Sequence, residues 1–284
     1  MYQPADCAVV CCSDGRHSSE KDKIDLTAQK LSEMGLHPVF SEAVYSADNI
    51  PFSACAENRA AELMKFYKDN SIKNIFDISG GDIANELLLY LDYDIIADSD
   101  KTFWGYSDLT TIINAIYTKT GKPSVMYQIK NLAGDCSQMQ YQRLSGYINN
   151  NSNELFDVNF DIINGSSLSG IVVGGNIRCF LKLAGTPYFP NMTGKLLLLE
   201  ALGSTTAQTA TYLSQLEQMG VFDKINGIIL GTFTKMEQTS ALPTAEELVL
   251  NITKHKLPVA KTYEIGHNSN SKAIIIGKKI NIVL

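Results

Sequence analysis

The chain has 284 residues, of which 45% are hydrophobic, so it can fill the core of one large domain or of two ordinary ones. Its net charge is -6 and its lysines and arginines are dispersed, which argues against a surface that binds nucleic acid. The first residues lack the basic start and long apolar run of a signal peptide, and no later run approaches the roughly 18 apolar residues of a membrane span. We therefore expect a cytoplasmic protein with neither nucleic acid nor a membrane as a partner.

Short β-rich runs alternate with amphipathic helical patterns through the first half, which predicts a parallel sheet with crossover helices and hence an α/β fold. The predicted strands lie at 7–12, 74–78, 102–106 and 124–127, and the predicted helices near 20–34, 57–69, 82–90 and 108–120. Asp108 and Thr110 are start signals for the last helix, and Gly121 ends it. Ser107 is therefore expected where a strand turns into a helix.

A polar stretch rich in Asn, Ser and Gly at 148–168 predicts a linker between a first domain, 1–150, and a second, 151–284. Strand-like runs follow at 170–173, 195–199, 227–230, 259–265, 273–276 and 280–284, with helical patterns near 176–184, 206–219 and 244–255. The second domain is thus also expected to mix α and β structure.

The six cysteines, at positions 7, 11, 12, 55, 136 and 179, show no paired C-x-x-C spacing. The absence of paired spacing argues against a disulfide framework and against a zinc site. We expect buried thiols, no metal and no cofactor.

Three polar residues follow predicted strands, at the edge where parallel α/β sheets form their sites. Ser107, Glu200 and His267 could supply a nucleophile, an acid and a base. The positions alone leave other interpretations open: Ser107 could be a helix cap, Glu200 a surface residue and His267 a loop residue. The other histidines fit a polar loop, a strand start and the last turn of a helix (His17, His37 and His255).

Glycines near these residues suggest how an oxyanion could be stabilised. Gly105 permits a sharp turn before Ser107, and the helix start offers free N–H groups. The usual nucleophile elbow has a second Gly two residues after the serine, where this chain has Leu109, so an ordinary α/β-hydrolase is disfavoured. Gly80-Gly81 is either a tight turn or a second oxyanion donor, and residues 13–15 are either a plain turn or a ligand contact.

A series of motifs, in order along the chain, resembles the serine L,D-carboxypeptidases. This family includes muropeptide carboxypeptidases and the immunity peptidases that inactivate microcin C. The motifs are Ile78-Ser-Gly-Gly81, Leu87-Leu-Leu-Tyr-Leu-Asp-Tyr-Asp94, Gly105-Tyr-Ser-Asp-Leu-Thr110, Gly174-Gly-Asn176, Leu183-Ala-Gly-Thr-Pro-Tyr188, Lys195-Leu-Leu-Leu-Leu-Glu200, Gly220-Val-Phe-Asp223, Gly227-Ile-Ile-Leu-Gly231 and Gly266-His267. They cover the chain from about residue 50 to near its end.

The resemblance implies a Rossmann- or flavodoxin-like nucleophile domain and a smaller, β-rich domain of the swivelling type, commonly in a homodimer. It implies Ser107 as nucleophile, His267 as general base and Glu200 as the residue that orients the base. The backbone N–H groups of Gly81 and Asp108 would form the oxyanion hole. The implied substrate is a small peptide or an aminoacyl-nucleotide conjugate, cleaved without a cofactor.

Departures from the family pattern concern the substrate. Ser79-Gly-Gly-Asp-Ile83 stands where many relatives have Arg-Gly-Gly-Tyr-Gly, and Tyr127-Gln128-Ile129 where they have His-Gly-Pro. Ala201-Leu-Gly follows the acid in place of a second acid, and Ile274-Ile-Ile-Gly277 replaces Leu-Pro-Ile-Gly. The missing arginine favours the microcin-immunity side of the family. A catalytically idle binding protein for a peptide or amino-acid conjugate is the alternative hypothesis.

Overall fold

The computed structural model describes residues 6–47 and 49–283, and these form two six-stranded sheets with helices packed against them. Most of the strand pairs in both sheets are parallel. The predicted α/β fold class is confirmed.

The first sheet has the strand order β11-β5-β4-β3-β1-β2. Its strands are β1 (Asp6–Val10), β2 (His37–Phe40), β3 (Ile72–Asp77), β4 (Thr102–Gly105), β5 (Ser124–Met126) and β11 (Ile274–Ile276). The first five are mutually parallel, while β11 comes from the second half of the chain and pairs antiparallel with β5.

Five α-helices and four short 3₁₀ turns of the described chain accompany the first sheet. The helices are α1 (Lys21–Glu33), α2 (Ala56–Lys68), α3 (Tyr93–Asp98), α4 (Thr110–Thr120) and α5 (Ser137–Asn150). The 3₁₀ turns are Ser18–Glu20, Ala84–Leu89, Ser107–Leu109 and Ile129–Ala133.

The second sheet has the order β12-β7-β8-β9-β10-β6, with antiparallel strands at both edges. Its strands are β6 (Asp161–Asn164), β7 (Ser167–Asn176), β8 (Lys195–Ala201), β9 (Gly227–Phe233), β10 (Val259–Lys261) and β12 (Lys279–Val283). The helices in this half are α6 (Ile177–Leu181), α7 (Thr206–Gln218), α8 (Thr234–Gln238) and α9 (Ala245–Ile252). The central strands β8 and β9 are almost wholly buried apolar runs, as expected for parallel strands covered on both faces.

Helix α4 joins the two halves. The amide of Asn114 donates to the Gly174 carbonyl and accepts from the Gly174 N–H, both at 2.9 Å. One turn earlier, the Thr110 hydroxyl accepts from the Asn176 N–H at 3.0 Å. Because buried polar groups need hydrogen-bond partners, these contacts fix α4 against β7.

The stretch 148–168 contains the end of α5, all of β6 and the start of β7, and its role as a linker between domains stays a prediction. Several predicted helices and strands were wrong. Helix α5 was missed because only Gln140 and Leu144 are buried, which leaves no apolar period. The helix expected at 82–90 is a 3₁₀ turn, the one expected to reach 255 ends at Ile252, and the strand expected at 259–265 ends at Lys261.

Three further sequence-based expectations concern the chain as a whole. The boundary between residues 150 and 151 stays a prediction, although β11 crosses it to complete the first sheet. The end of the strand predicted at 280–284 lies outside the described residues. No helix within the described ranges is long and apolar enough to cross a bilayer.

The cysteines, all of which lie in the described ranges, form no disulfide. Four are buried as predicted, but Cys55 is exposed and Cys136 is partly exposed. Both stand at the N-cap of a helix, at the surface end of the element.

Candidate active site

Ser107 lies in a sharp turn between β4 and α4. Its φ is 56°, in the left-handed region that a serine rarely adopts. The turn brings Leu109 so close that a Cβ on Gly105 would lie 2.7 Å from the Leu109 Cβ, so only glycine fits there. A non-glycine residue held in this region marks a strained position of the kind found at active sites.

The two other predicted residues meet Ser107 in space. His267 Nε2 lies 3.1 Å from Ser107 Oγ, and His267 Nδ1 lies 2.7 Å from Glu200 Oε2. The Glu200 side chain is fully buried, and that of His267 is 6% exposed. The structure therefore brings together the nucleophile, base and acid that the sequence predicted.

Glu200 lies within β8 and not after it, because the strand runs on to Ala201. In the parallel pairing of β7 with β8, Glu200 stands opposite Asn176. The Asn176 amide donates to Glu200 Oε1 at 3.0 Å. Both carboxylate oxygens of Glu200 thus have a partner, which a buried carboxylate requires.

The loop that carries His267 is seated on the end of β9. The Thr232 N–H donates to the Ile265 carbonyl at 2.8 Å. A Cβ on Gly266 would lie 1.7 Å from Thr232 Oγ1, so no side chain is possible there. This close approach fixes the backbone immediately before the histidine.

Tyr106 packs edge-on against the imidazole of His267, with ring centroids 4.9 Å apart. Its hydroxyl is buried close to the Glu200 carboxylate, and no hydrogen bond of regular geometry to it is found in the described part of the chain. Burial, with the nearby charge of Glu200, raises the pKa of Tyr106 well above its ordinary value. The tyrosine therefore stays neutral and packs beside the imidazole of His267.

Gly81 is pinned next to the first strand. Its φ is 131°, and a Cβ there would lie 2.1 Å from Cγ of Asp14. The Asp14 carboxylate accepts from the Asp82 N–H at 2.9 Å. Two residues before Gly81, the Ser79 N–H donates at 2.7 Å to the carboxylate of Asp77, whose pKa is raised by burial. Residues 13–15, expected to be a turn or a ligand contact, thus support the glycine loop.

Asp108 was expected to act as a helix-start signal, but its side chain has another role. It is fully buried and accepts from Ser13 Oγ at 2.7 Å, from the Ala84 N–H at 2.8 Å and from Lys182 Nζ at 2.5 Å. The backbone N–H groups of Asp108 and Gly81 have no acceptor among the described residues. The Asp108 N–H directly follows Ser107 in the chain, and Gly81 lines the same cleft as Ser107.

A cleft of about 410 Å³ opens over Ser107. Its walls come from both halves of the chain and include Gly81, Asn176, Arg178, Leu202 and Tyr212. In the described ranges, no cluster of three or more His, Cys, Asp or Glu side chains could hold a metal ion. A buried acid, an imidazole and a hydroxyl in line, beside free N–H groups, can perform nucleophilic acyl transfer.

Sequence reasoning missed three residues at this site. Asn176, which donates to Glu200, lies in the Gly174-Gly-Asn176 motif, for which the sequence indicates no role. Arg178 lies in the first turn of α6 and Lys182 directly follows this helix, and polar residues there resemble an ordinary helix surface. Their contacts depend on the packing of α6 against the nucleophile turn.

Comparison with known proteins places the chain in a family. Residues 7–127 match the LD-carboxypeptidase N-terminal domain, and residues 169–282 match the LD-carboxypeptidase C-terminal domain. The chain is 26% identical to a putative carboxypeptidase of Treponema pallidum over 96% of this chain and 88% of the relative. It is 26% identical to a probable murein peptide carboxypeptidase of Bacillus subtilis, over 90% of this chain and 83% of the relative. It is 27% identical to the microcin C7 self-immunity protein MccF of Escherichia coli, over 81% and 76%.

Solved structures agree in fold. An MccF-like protein from Bacillus anthracis superposes with a TM-score of 0.85 at 26% identity, covering 100% of this chain and 94% of that one. MccF in complex with glutamyl sulfamoyl guanosine superposes with a TM-score of 0.87 at 21% identity and the same coverage. With both family domains matched across most of its length, this chain belongs to the LD-carboxypeptidase family, and its predicted class, a serine-type carboxypeptidase or hydrolase, is confirmed.

Proposed function

We propose that this chain hydrolyses an amide bond beside a free carboxylate, with Ser107 as nucleophile, His267 as general base and Glu200 as the residue that orients the base. The observation that carries the proposal is the continuous line from Ser107 Oγ through the imidazole to a buried carboxylate, with contacts of 3.1 and 2.7 Å. These distances are those of a hydrogen-bonded nucleophile and base.

In the first step Ser107 Oγ attacks the carbonyl carbon and His267 Nε2 takes the hydroxyl proton. Glu200 accepts the Nδ1–H and stabilises the imidazolium. The new oxyanion is held by the N–H groups of Gly81 and Asp108, and each such donor is worth about 10²–10³ in kcat elsewhere.

In the second step the C–N bond breaks and the imidazolium gives its proton to the leaving amine, which leaves an ester on Ser107. Water then attacks this ester while His267 again takes a proton, and the serine is released with the acid product. The imidazole of His267 accepts and returns every proton in both steps, so the proton transfers balance without a cofactor.

The substrate class follows from the family. Relatives are named as a murein peptide carboxypeptidase and as the microcin C7 self-immunity protein, and MccF structures hold glutamyl sulfamoyl guanosine or aspartyl sulfamoyl adenosine. We infer a small peptide or an aminoacyl-nucleotide conjugate as substrate for this chain. The loss of arginine before Gly80-Gly81 favours the conjugate.

A catalytically idle binding protein is the second candidate. Nothing in simple ligand binding requires a serine held at a φ of 56° in contact with a histidine and a buried acid. The strained turn therefore favours catalysis.

The test is hydrolysis of a muramyl tetrapeptide and of glutamyl sulfamoyl adenosine, followed by chromatography. Wild type should cleave at least one, and Ser107→Ala should lower kcat by about 10⁴–10⁶ with an unchanged circular dichroism spectrum. Binding without cleavage of either compound would support the idle protein.

Two further expectations stay predictions. The homodimer rests on the family resemblance, and light scattering should then give twice the 31.2 kDa of the chain. The cytoplasmic location rests on the sequence and needs fractionation of the source cells.

A further inference from the structure

Arg178 places a cation in the cleft over Ser107. It lies in the first turn of α6, two residues after Asn176, and its side chain is 44% exposed. Among the described residues that line the cleft, only Arg178 and Asp82 carry charge. Arg178 is therefore the cation of the cleft lining with which an anionic group of a ligand can pair.

The guanidinium is only partly engaged. Its Nη1 forms a close ion pair with Asp82 Oδ1, and its Nη2 donates to the Gly81 carbonyl at 3.2 Å. A guanidinium has five N–H donors in a planar fork that matches a carboxylate. Three donors are therefore left for a ligand.

The carboxylate of Asp82 does not depend on Arg178 alone. Lys182 Nζ lies 3.5 Å from Asp82 Oδ1 and donates to the Asp82 carbonyl at 2.7 Å. The cluster of Asp14, Asp82 and Asp108 with Arg178 and Lys182 has three carboxylates against two cations. Its net charge does not attract an anion, so a ligand carboxylate must be held by direct, paired hydrogen bonds.

We propose that Arg178 binds the free carboxylate of the substrate and so sets the distance between that carboxylate and the amide that is cut. The inference rests on the proposed function and names the group that recognises its substrate. Because Arg178 also contacts the carbonyl of Gly81, a carboxylate held by it lies beside the oxyanion donors. Arg178 is thus a specificity-determining residue, which separates substrates with a free carboxylate from their amides.

The test measures binding in Ser107→Ala, which cannot turn over its ligand, by isothermal titration calorimetry. Two matched pairs of probes are used. One is a tetrapeptide ending in L-Lys-D-Ala and its C-terminal carboxamide; the other is glutamyl sulfamoyl adenosine and its glutaminyl twin. The same titrations are repeated with Arg178→Gln, Asp82→Asn and Arg16→Gln added to Ser107→Ala. Arg16 is the matched control, because it pairs with Glu20 away from the cleft lining.

Ser107→Ala should bind the acid of at least one pair about 10- to 100-fold more tightly than its amide, the usual worth of a charged hydrogen bond. Arg178→Gln should remove this preference and leave amide binding within a few fold, while Arg16→Gln should keep it. Asp82→Asn should keep or enlarge it, because the competing carboxylate is gone.

Three results would overturn the inference: no binding of either acid, a preference that survives Arg178→Gln, or equal weakening of acid and amide. The last would mean that Arg178 only positions the Gly81 loop. Failure of the proposed function is a separate result, since it is read from absent hydrolysis by wild type and not from these affinities.

Discussion

A stability measurement directly tests the ion pair between Lys182 and Asp108. It connects the residue that directly follows α6, in the second half of the chain, to the residue that follows the nucleophile. Lys182 Nζ lies 2.5 Å from Asp108 Oδ1, while Oδ2 of the same carboxylate accepts from Ser13 and Ala84. Lys182→Met keeps the unbranched side chain as far as the Cε position and removes the charged group.

Removing one partner of a buried ion pair costs about 3–5 kcal/mol, because the other charge remains buried and uncompensated. The Asp108 side chain is fully buried, whereas that of Lys182 is 19% exposed and water can partly replace it. We therefore expect the lower end of the range, about 3 kcal/mol.

A second variant tests the reason for the loss. In Lys182→Met/Asp108→Asn, the asparagine oxygen can take the position of Oδ2 and keep both of its donors, and its amide faces the space that the ammonium left. The double variant should regain about 2 kcal/mol over Lys182→Met, because no buried charge remains. Lys73→Met is the control, since its contact with Asp100 is also 2.5 Å long but exposed, and should change stability far less.

The assay is urea unfolding at pH 7, with kcat/KM measured on the same samples. Lys182→Met should also lose at least about tenfold in kcat/KM if the Asp108 N–H is an oxyanion donor. A loss of stability below about 1 kcal/mol, or a double variant no more stable than Lys182→Met, would refute the reasoning.

Three further predictions follow from the site. Asn176→Leu should lower kcat about tenfold and stability by about 1–3 kcal/mol, since it leaves an oxygen of Glu200 without a donor; unchanged values in both assays would remove Asn176 from the site. Tyr106→Phe should reduce the loss of stability that the protein shows at alkaline pH. The raised pKa keeps Tyr106 neutral in the folded state, so its stabilising effect is complete below about pH 10 and is lost as the pH rises further. An identical dependence of the unfolding free energy on pH in wild type and variant, measured by urea unfolding from about pH 9 to 11, would contradict this. EDTA should not change activity, whereas a loss that zinc restores would reveal a metal.

The fold class was predictable because parallel strands and their crossover helices alternate in a pattern that survives in the sequence. What failed were elements without such a pattern. Edge strand β6 has four residues, none of them buried and two of them polar, and α5 buries too few side chains to show a period. The pairing of β11 with β5 could not be foreseen, because an apolar run does not specify which sheet receives it.

At the site, too, some residues could be predicted from a local sequence pattern and others could not. Ser107, Glu200 and His267 follow or end strands, and their order along the chain carries the family resemblance, so the sequence indicated them. Lys182, Arg178 and Asn176 act through contacts between elements far apart in the chain, which residue type and spacing do not encode. Asp108 shows most clearly what the sequence does not reveal. Aspartate is common at helix starts, but the side chain of Asp108 is buried and accepts hydrogen bonds from three donors.

Covalent labelling of the intact protein tests the central claim most directly. Wild type, treated with a serine-directed fluorophosphonate and digested for mass spectrometry, should carry one adduct, on Ser107. Labelling should be absent in Ser107→Ala and much slower in His267→Gln, because the base that contacts Ser107 Oγ at 3.1 Å is gone. An adduct on another residue, or a labelling rate that His267→Gln leaves unchanged, would contradict the account.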